Sequence, residues 1–309
     1  MHDDQVVAWL LSGDVSICFQ TCRDLLGAEH QDLQQKIATE GWGAGLLSLR
    51  QQNGHWGLGF YRPKWTSTHY TLLDLKNLAI EPVIPQIRET VTLITRKNKG
   101  PDGGINPSDG TRYSDVCING MFLNYACYFG ADREELRSVT DFILSQQLPD
   151  GGFNCQYNRK GAVHSSLHST LSVAEGILEY AMNGYTYRLK EMQQAELDSR
   201  EFILQHKLFQ SHRTGQIIDP KMLLLSYPSR WRYDILRCLD YFRLAGMRLD
   251  NRMTPAIEIL LGKKKAGDLW PLQAKHPGQT HLNMEQAGEN SRWNTLRALR
   301  VLKHFDIKI

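Results

Sequence analysis

The sequence has no run of apolar residues near the roughly 20 needed to span a bilayer, which argues against an integral membrane segment. It has little charge of either sign to spare: 36 Lys and Arg against 33 Asp and Glu leave a formal net charge of +3. The basic residues are scattered rather than gathered in a stripe, so no nucleic-acid partner is expected. Six cysteines in 309 residues are too few for a disulfide scaffold. They fit free thiols in a reducing cytoplasm, one of which could bind metal. The start, Met1-His2-Asp3-Asp4, is acidic where a signal peptide needs a basic stretch. An apolar share of 41% and a charged share of 22% are those of an ordinary globular protein.

What the chain does have is a repeat. LLSLRQQNGHWG (46–57) and FILSQQLPDGGF (142–153) both run from an apolar helix end through a Gln-Gln pair and a glycine turn to an aromatic residue. Related turns are Gly100-Pro101-Asp102-Gly103-Gly104 and Gly267-Asp268-Leu269-Trp270, with a degenerate one near Thr214-Gly215. After each turn a polar loop leads to a second helix. Candidate capping residues for these helices are Asp14, Thr66-Ser67, Ser114-Asp115, Ser165-Ser166, Ser229 and Ser291. The second helices are apolar on most sides and read as inner helices, near 14–26, 66–79, 115–129, 166–181, 230–245 and 291–305. The others, such as 5–11, 134–147 and 196–206, are amphipathic and read as outer helices. The pattern predicts one all-α domain over 1–309, about six helix pairs closed into an (α/α)6 toroid, with an open solenoid as the alternative. In a ring, the inner-helix N-termini surround one mouth, and their aligned peptide dipoles favour an anion there.

The Gln-Gln…Gly…aromatic turns resemble the repeat motif of the squalene cyclase and protein prenyltransferase superfamily. The phrases KWTSTHYTLL (64–73), SDVCINGM (114–121), SRWRYDILRCLDYF (229–242) and SRWNTLRALRVL (291–302) more closely resemble bacterial squalene cyclase-like or prenyltransferase-like proteins. The resemblance runs from DVSICFQTCRDLLG (14–27) to the C-terminus and implies the six-by-six helical toroid. Squalene-hopene-type cyclases protonate an alkene with an Asp-x-Asp-Asp motif, which this sequence lacks, so proton-initiated cyclisation is not expected. Protein prenyltransferase β subunits hold catalytic zinc with an Asp-x-Cys at one inner-helix start and a His at a later one. The resemblance therefore implies Asp115, Cys117 and His168 as zinc ligands, with Arg112 where those enzymes meet the diphosphate. Ile118 departs from the family, which has a tyrosine there. Such a site would leave an open fourth zinc position, where a bound thiol would be made nucleophilic.

The competing reading makes Asp115 a helix cap and Cys117 a small core residue. His164 and Cys155 are the alternative imidazole and thiol, and turn packing is the plainer role for Cys155. Glu175 follows His168 by two helical turns on the same face, either as a base or metal-water partner, or in a buried ion pair with an arginine such as Arg237. Lys64 and His69, with Arg62 beside them, read as an anion-binding rim or as a simple helix start. Trp65, Tyr70, Trp231, Tyr233 and Trp293 would line an isoprenoid pocket and steady a cation, or pack the ring. Asp234, Arg237, Arg292 and Arg297 add charge at the same level, either as a site or as a structural network. The expected ligand is a small apolar or isoprenoid molecule with an anionic head, and zinc is the expected cofactor if prenyl transfer is the chemistry. Two rivals stand beside that enzyme: a non-catalytic toroid that binds a lipid or polyprenyl phosphate, and an (α/α)6 glycoside-acting enzyme with Asp115 and Asp234 as its carboxylates.

Overall fold

The computed structural model describes residues 4–107 and 113–308. Among them every named element is helical, and extended pairing is limited to isolated bridges such as Lys99 with Ile105. Among the described residues no helix is long and apolar enough to cross a membrane. The α-helices are α1 (Asp4–Leu11), α2 (Val15–Thr21), α3 (Gln31–Lys36), α4 (Gly41–Ser48), α5 (Thr68–Asn77), α6 (Pro85–Lys97), α7 (Val116–Tyr128), α8 (Arg133–Ser145), α9 (Tyr157–Lys160), α10 (Leu167–Met182), α11 (Leu189–Gln205), α12 (Ile235–Leu244), α13 (Thr254–Gly262) and α14 (Arg292–His304). They gather into two compact units. The first comprises residues 1–49, 77–81 and 206–309, and the second 50–76 and 82–205.

In the second unit α7 and α10 form the centre. Their backbones touch because both carry glycine at the crossing: a Cβ on Gly176 would lie 2.2 Å from the Gly120 carbonyl oxygen. Met121, Phe122, Leu123 and Tyr125 of α7 and Leu171, Val173 and Ile177 of α10 are buried around that crossing. The amphipathic helices α6, α8 and α11 bury one stripe each, such as Leu136, Val139, Phe142 and Ile143 of α8. Asp132 caps α8, accepting from the backbone of Glu134 and Glu135 at 2.9 and 3.1 Å.

The glycine turns act as hydrogen-bonded hinges from one helix to the next. The backbone N–H of Trp56 donates to Thr68 Oγ1 at 3.0 Å, and that of Phe153 to Thr170 Oγ1 at 3.0 Å. Ile105 makes the same bond to Asn119 Oδ1 at 2.6 Å. In the first unit Trp270 repeats it with Thr295 at 3.0 Å. Turn carboxylates supply a second tie: Asp102 accepts from the Ser114 N–H at 2.7 Å and Asp150 from the Ser165 N–H at 2.9 Å. Gly151 has φ +88°, a left-handed conformation that favours glycine at this point of the turn. The degenerate turn near Thr214-Gly215 is also a turn, closed by Ser211 and Gln216.

In the first unit α12 and α14 pack together and α14 reaches α2. The helix expected from about residue 230 begins only at Ile235, with Asp234 rather than Ser229 as its cap. Arg230, at φ +58°, cannot continue a right-handed helix, and the Asp234 carboxylate accepts the Arg237 N–H at 2.8 Å. A buried ion network joins these helices. Asp240 accepts from Arg243 Nε at 2.8 Å and Arg300 Nε at 2.8 Å, and Arg300 reaches Asp24 at 2.7 Å.

Candidate functional site

The best-built cluster of reactive groups lies in the second unit, at the starts of α5, α7 and α10. The loop before α5 is pinned to it, because the N–H groups of Thr68 and His69 donate to the carbonyls of Gly59 and Phe60 at 3.1 and 2.9 Å. This sets Phe60 and Tyr61 against His69, with ring centroids 5.5 and 5.4 Å away. The Tyr61 and Tyr70 hydroxyls are 3.1 Å apart, and Trp65 meets Tyr70 edge-on at 4.9 Å. His69, expected at an anion-binding rim, is instead fully buried. Its Nδ1 is 3.2 Å from the Tyr125 hydroxyl, and its Nε2 is buried without a hydrogen-bond partner among the described residues. Burial drives its pKa down to about 3, so the imidazole is neutral at physiological pH. Lys64 is exposed, with its ammonium 4.9 Å from the Trp65 ring centroid.

Asp115 occupies the capping position of α7 by backbone but makes no side-chain cap bond. Its carboxylate pairs with Arg159 of α9 at 2.7 Å. Burial raises the Asp115 pKa, with Arg159 opposing it. Cys117, in the first turn of α7, and Cys155, in the loop after Phe153, perturb each other's thiol ionisation. The Cys155 sulfur accepts a long hydrogen bond from Gln156 Nε2 at 3.9 Å, and its own N–H donates to Ser169 Oγ at 3.1 Å. Cys117, ahead of the other neighbours, brings the Cys155 pKa to about 6, whereas the Cys117 thiol is pushed well up by Cys155 and by burial. Burial raises the Tyr61 pKa, with smaller contributions from the charges of Cys117, Asp115 and Arg159.

Asp115, Cys117 and His168 were expected to share a zinc ion. Among the described residues no three His, Cys, Asp or Glu side chains gather as a group that could hold a metal ion. Asp115 is turned to Arg159 and Cys117 to Cys155, while His168 is half-buried in the first turn of α10. Arg112 lies outside the described residues. His164 is exposed, and its carbonyl accepts from Asn154 at 2.8 Å. Glu175, expected as the buried acid of α10, is only half-buried. The buried acid is Glu179, paired with Lys76 at 2.6 Å.

The remaining expected residues lie in the first unit. Asp234 is buried as the α12 cap, and burial raises its pKa. Trp293 is buried in a stack with Tyr227, 4.5 Å between centroids, and Tyr233 is buried as well. Trp231 is half-buried, with the Arg232 guanidinium 5.1 Å from its ring centroid. Arg237 donates to the Arg232 carbonyl at 2.9 Å, Arg297 to that of Ser226 at 3.4 Å, and Arg292 to that of Trp9 at 3.1 Å. These bonds tie loops and helices of the first unit together.

Sequence reasoning missed Tyr61, Arg159 and Asp240. Tyr61 and Arg159 sit outside the repeated helix starts, and Asp240 lies mid-helix, so no motif marks them. Cys155 was noted only as an alternative thiol.

Comparison with solved structures shows a likeness of helical fold. The chain is similar to the type II terpene cyclase MstE from Scytonema in its apo form, at 14% identity over 88% of this chain and 96% of that chain, with TM-score 0.36. It is also similar to an arginine-to-alanine variant of that cyclase in complex with geranylgeranyl dihydroxybenzoate, its substrate, at 14% identity over 89% and 97%, with TM-score 0.33. No protein-family model and no curated protein matches the sequence.

Proposed function

We propose that the protein binds an isoprenoid or similar apolar molecule with an anionic head at the second unit's helix starts and acts on it as a prenyltransferase-like or terpenoid cyclase-like enzyme. One observation carries this reading: a contiguous set of rings (Phe60, Tyr61, Trp65, His69, Tyr70, Tyr125) adjoins a charged pair and a thiol pair at one end of the helices. Ring faces stabilise a carbocation by their quadrupoles, and Arg159 offers a cation for a diphosphate. The starts of α7 and α10 carry no side-chain cap bond, which leaves backbone N–H groups for an anion. When His69 Nδ1 donates to Tyr125, its Nε2 is left as a neutral acceptor for the proton that a carbocation sheds. Zinc assistance would require Asp115 to leave Arg159 and Cys117 to leave Cys155.

Titration of the reduced protein with farnesyl diphosphate, farnesol and inorganic diphosphate, followed by calorimetry, tests this reading. Farnesyl diphosphate should bind more tightly than either part. Arg159→Ala should weaken it about tenfold, the cost of one charge-assisted contact, and leave farnesol unchanged. Tyr61→Ala should weaken both prenyl ligands. The proposal fails if none of the three binds. Binding without turnover would leave the non-catalytic toroid.

A further inference from the structure

We propose that His206 and His212, both in the first unit, form a two-imidazole site for a divalent transition-metal ion of the nickel, copper or zinc kind. His212 Nδ1 lies 3.2 Å from His206 Nε2, and the ring centroids are 4.9 Å apart with the planes at 82°. Two imidazole nitrogens that each bind one ion at about 2.0–2.1 Å stand about 2.9–3.4 Å from each other in tetrahedral or octahedral geometry. The observed gap falls within that range. The rings also converge. A straight N–H···N bond of this length would hold the centroids about 5.5 Å apart, whereas rings aimed at a shared ion hold them about 5 Å apart. The measured separation fits the second arrangement.

The backbone holds both rings in place. His206 follows α11, and its carbonyl accepts from the Phe209 and Gln210 N–H groups at 2.9 and 2.6 Å. Lys207 and Leu208 between them are left-handed, at φ +42° and +71°, and buried Leu208 and Phe209 anchor this reversal. A small loop then returns the chain. The Gly215 N–H donates to the Ser211 carbonyl at 2.7 Å, the Ser211 N–H to that of Gln216 at 2.8 Å, and the Ile218 N–H to that of Phe209 at 3.0 Å. His212 sits inside this closed loop, which brings its ring back onto His206. His212 is exposed and His206 half-buried, so an ion can enter from solvent. Lys207 and Arg213 flank the pair in sequence, and both are exposed, where salt screens their repulsion of a cation.

Binding needs a lone pair on each facing nitrogen. The proton now shared between them moves to the far nitrogen of its own ring, and both imidazoles stay neutral. The two nitrogens fill two positions of the ion and water fills the rest. Imidazole suits nickel, copper and zinc, while calcium and magnesium prefer oxygen ligands. A bound ion would fasten the 211–216 loop to the residue after α11.

The inference does not rest on the ligand proposed above, and its test uses the untagged, ligand-free full chain kept reduced by a phosphine. Nickel chloride is titrated by calorimetry, and thermal melts are recorded with nickel and with chelator. The wild type should bind one nickel ion per chain at this site and melt higher with nickel. Loss of an outer-shell partner commonly weakens a metal about tenfold or more, so His212→Ala, which removes a ligand, should weaken nickel at least that much and abolish the rise in melting temperature. His206→Ala should do the same, and Cys117→Ser should bind nickel as the wild type does. Because His212 is exposed, His212→Ala should melt with chelator as the wild type does, which checks its fold. No nickel binding by the wild type, or equal binding by His212→Ala, would overturn the proposal and reduce the pair to a surface hydrogen bond.

Discussion

The starts of α12 and α14 in the first unit and of α7 and α10 in the second use the same residue types in opposite ways. In the first unit the polar side chains are consumed by structure. Asp234 caps α12, Ser291 caps α14 by accepting from Asn294 at 2.9 Å, and Glu285 in turn accepts the Trp293 N–H at 3.2 Å. In the second unit Asp115 and Ser166 stand at the equivalent positions but make no side-chain cap bond. The Asp115 carboxylate goes to Arg159, and the neighbouring thiols and imidazole are left with few obligations to the backbone. A cap is worth about 1 kcal/mol to a helix, so α7 and α10 go without a stabilisation that α12 and α14 have. The contrast, more than any one residue, is the reason the proposed site is put in the second unit.

The strongest test of the structural half of this contrast is Asp240→Ala. Burial alone raises the Asp240 carboxyl, but the charges of Arg300 and Arg243 outweigh it and hold it below the usual carboxylate range. Removing it takes one of two carboxylates from buried Arg300, which keeps Asp24, so urea unfolding should show a loss of about 3 kcal/mol. The sign of the pH dependence follows from the depressed pKa: this stabilisation is present above the unfolded carboxylate pKa and is lost as pH falls through the lower folded value. Asp240→Ala should therefore lack that part of the acid limb. Next in size is Gly176→Ala. Its new methyl would meet the Gly120 carbonyl oxygen at 2.2 Å and force α7 and α10 apart, at about 1–3 kcal/mol or more. Hydrogen exchange should show the loss of protection in the second unit's central helices. A variant as stable as the wild type would contradict the close crossing.

The helices were largely readable in the sequence because glycine turns and apolar runs are local signals. Five of the six expected inner segments fall within a few residues of α2, α5, α7, α10 and α14. The sixth began too early, because capping was assigned to Ser229 by residue type, while the backbone turn at Arg230 and the Asp234 carboxylate decide where α12 starts. The site was less legible. Asp115 and Cys117 were singled out correctly as residues at a helix start, but their partners were not. Arg159 and Cys155 reach them from a short helix and a loop whose path depends on tertiary packing, which no periodicity encodes. Glu175 and Glu179 are four residues apart on one helix, and only the position of Lys76 selects Glu179 as the buried, paired acid.

Paired substitutions at the two capping positions sharpen the comparison directly. Asp234→Ala removes a cap that is made and should cost about 1–2 kcal/mol. Asp115→Ala removes a carboxylate that caps nothing and pairs with a part-exposed arginine, so its stability cost should stay below about 1 kcal/mol. Farnesyl diphosphate affinity should rise in Asp115→Ala, which frees Arg159 for the anion, and hold in Asp234→Ala. Equal stability losses in chemical denaturation would mean that Asp115 is doing a cap's job after all.

The smallest effect on stability belongs to the most chemically specific prediction. Cys155 has its pKa brought to about 6, first by the Cys117 thiol and then, against the desolvation that raises it, by Ser169 and Gln156. The thiolate should therefore predominate at neutral pH and be lost as pH falls through about 6. Iodoacetamide labelling at Cys155, followed by peptide mapping over a pH series, should rise with a midpoint near that value. Cys18 and Cys22 have raised pKa values and should label only at higher pH. Because Cys117 is the largest cause, Cys117→Ala should move the Cys155 midpoint up further than Ser169→Ala does. A wild-type midpoint in the ordinary thiol range, or one indifferent to Cys117→Ala, would show that the two sulfurs do not communicate. The second unit would then lose the feature that most separates it from the first.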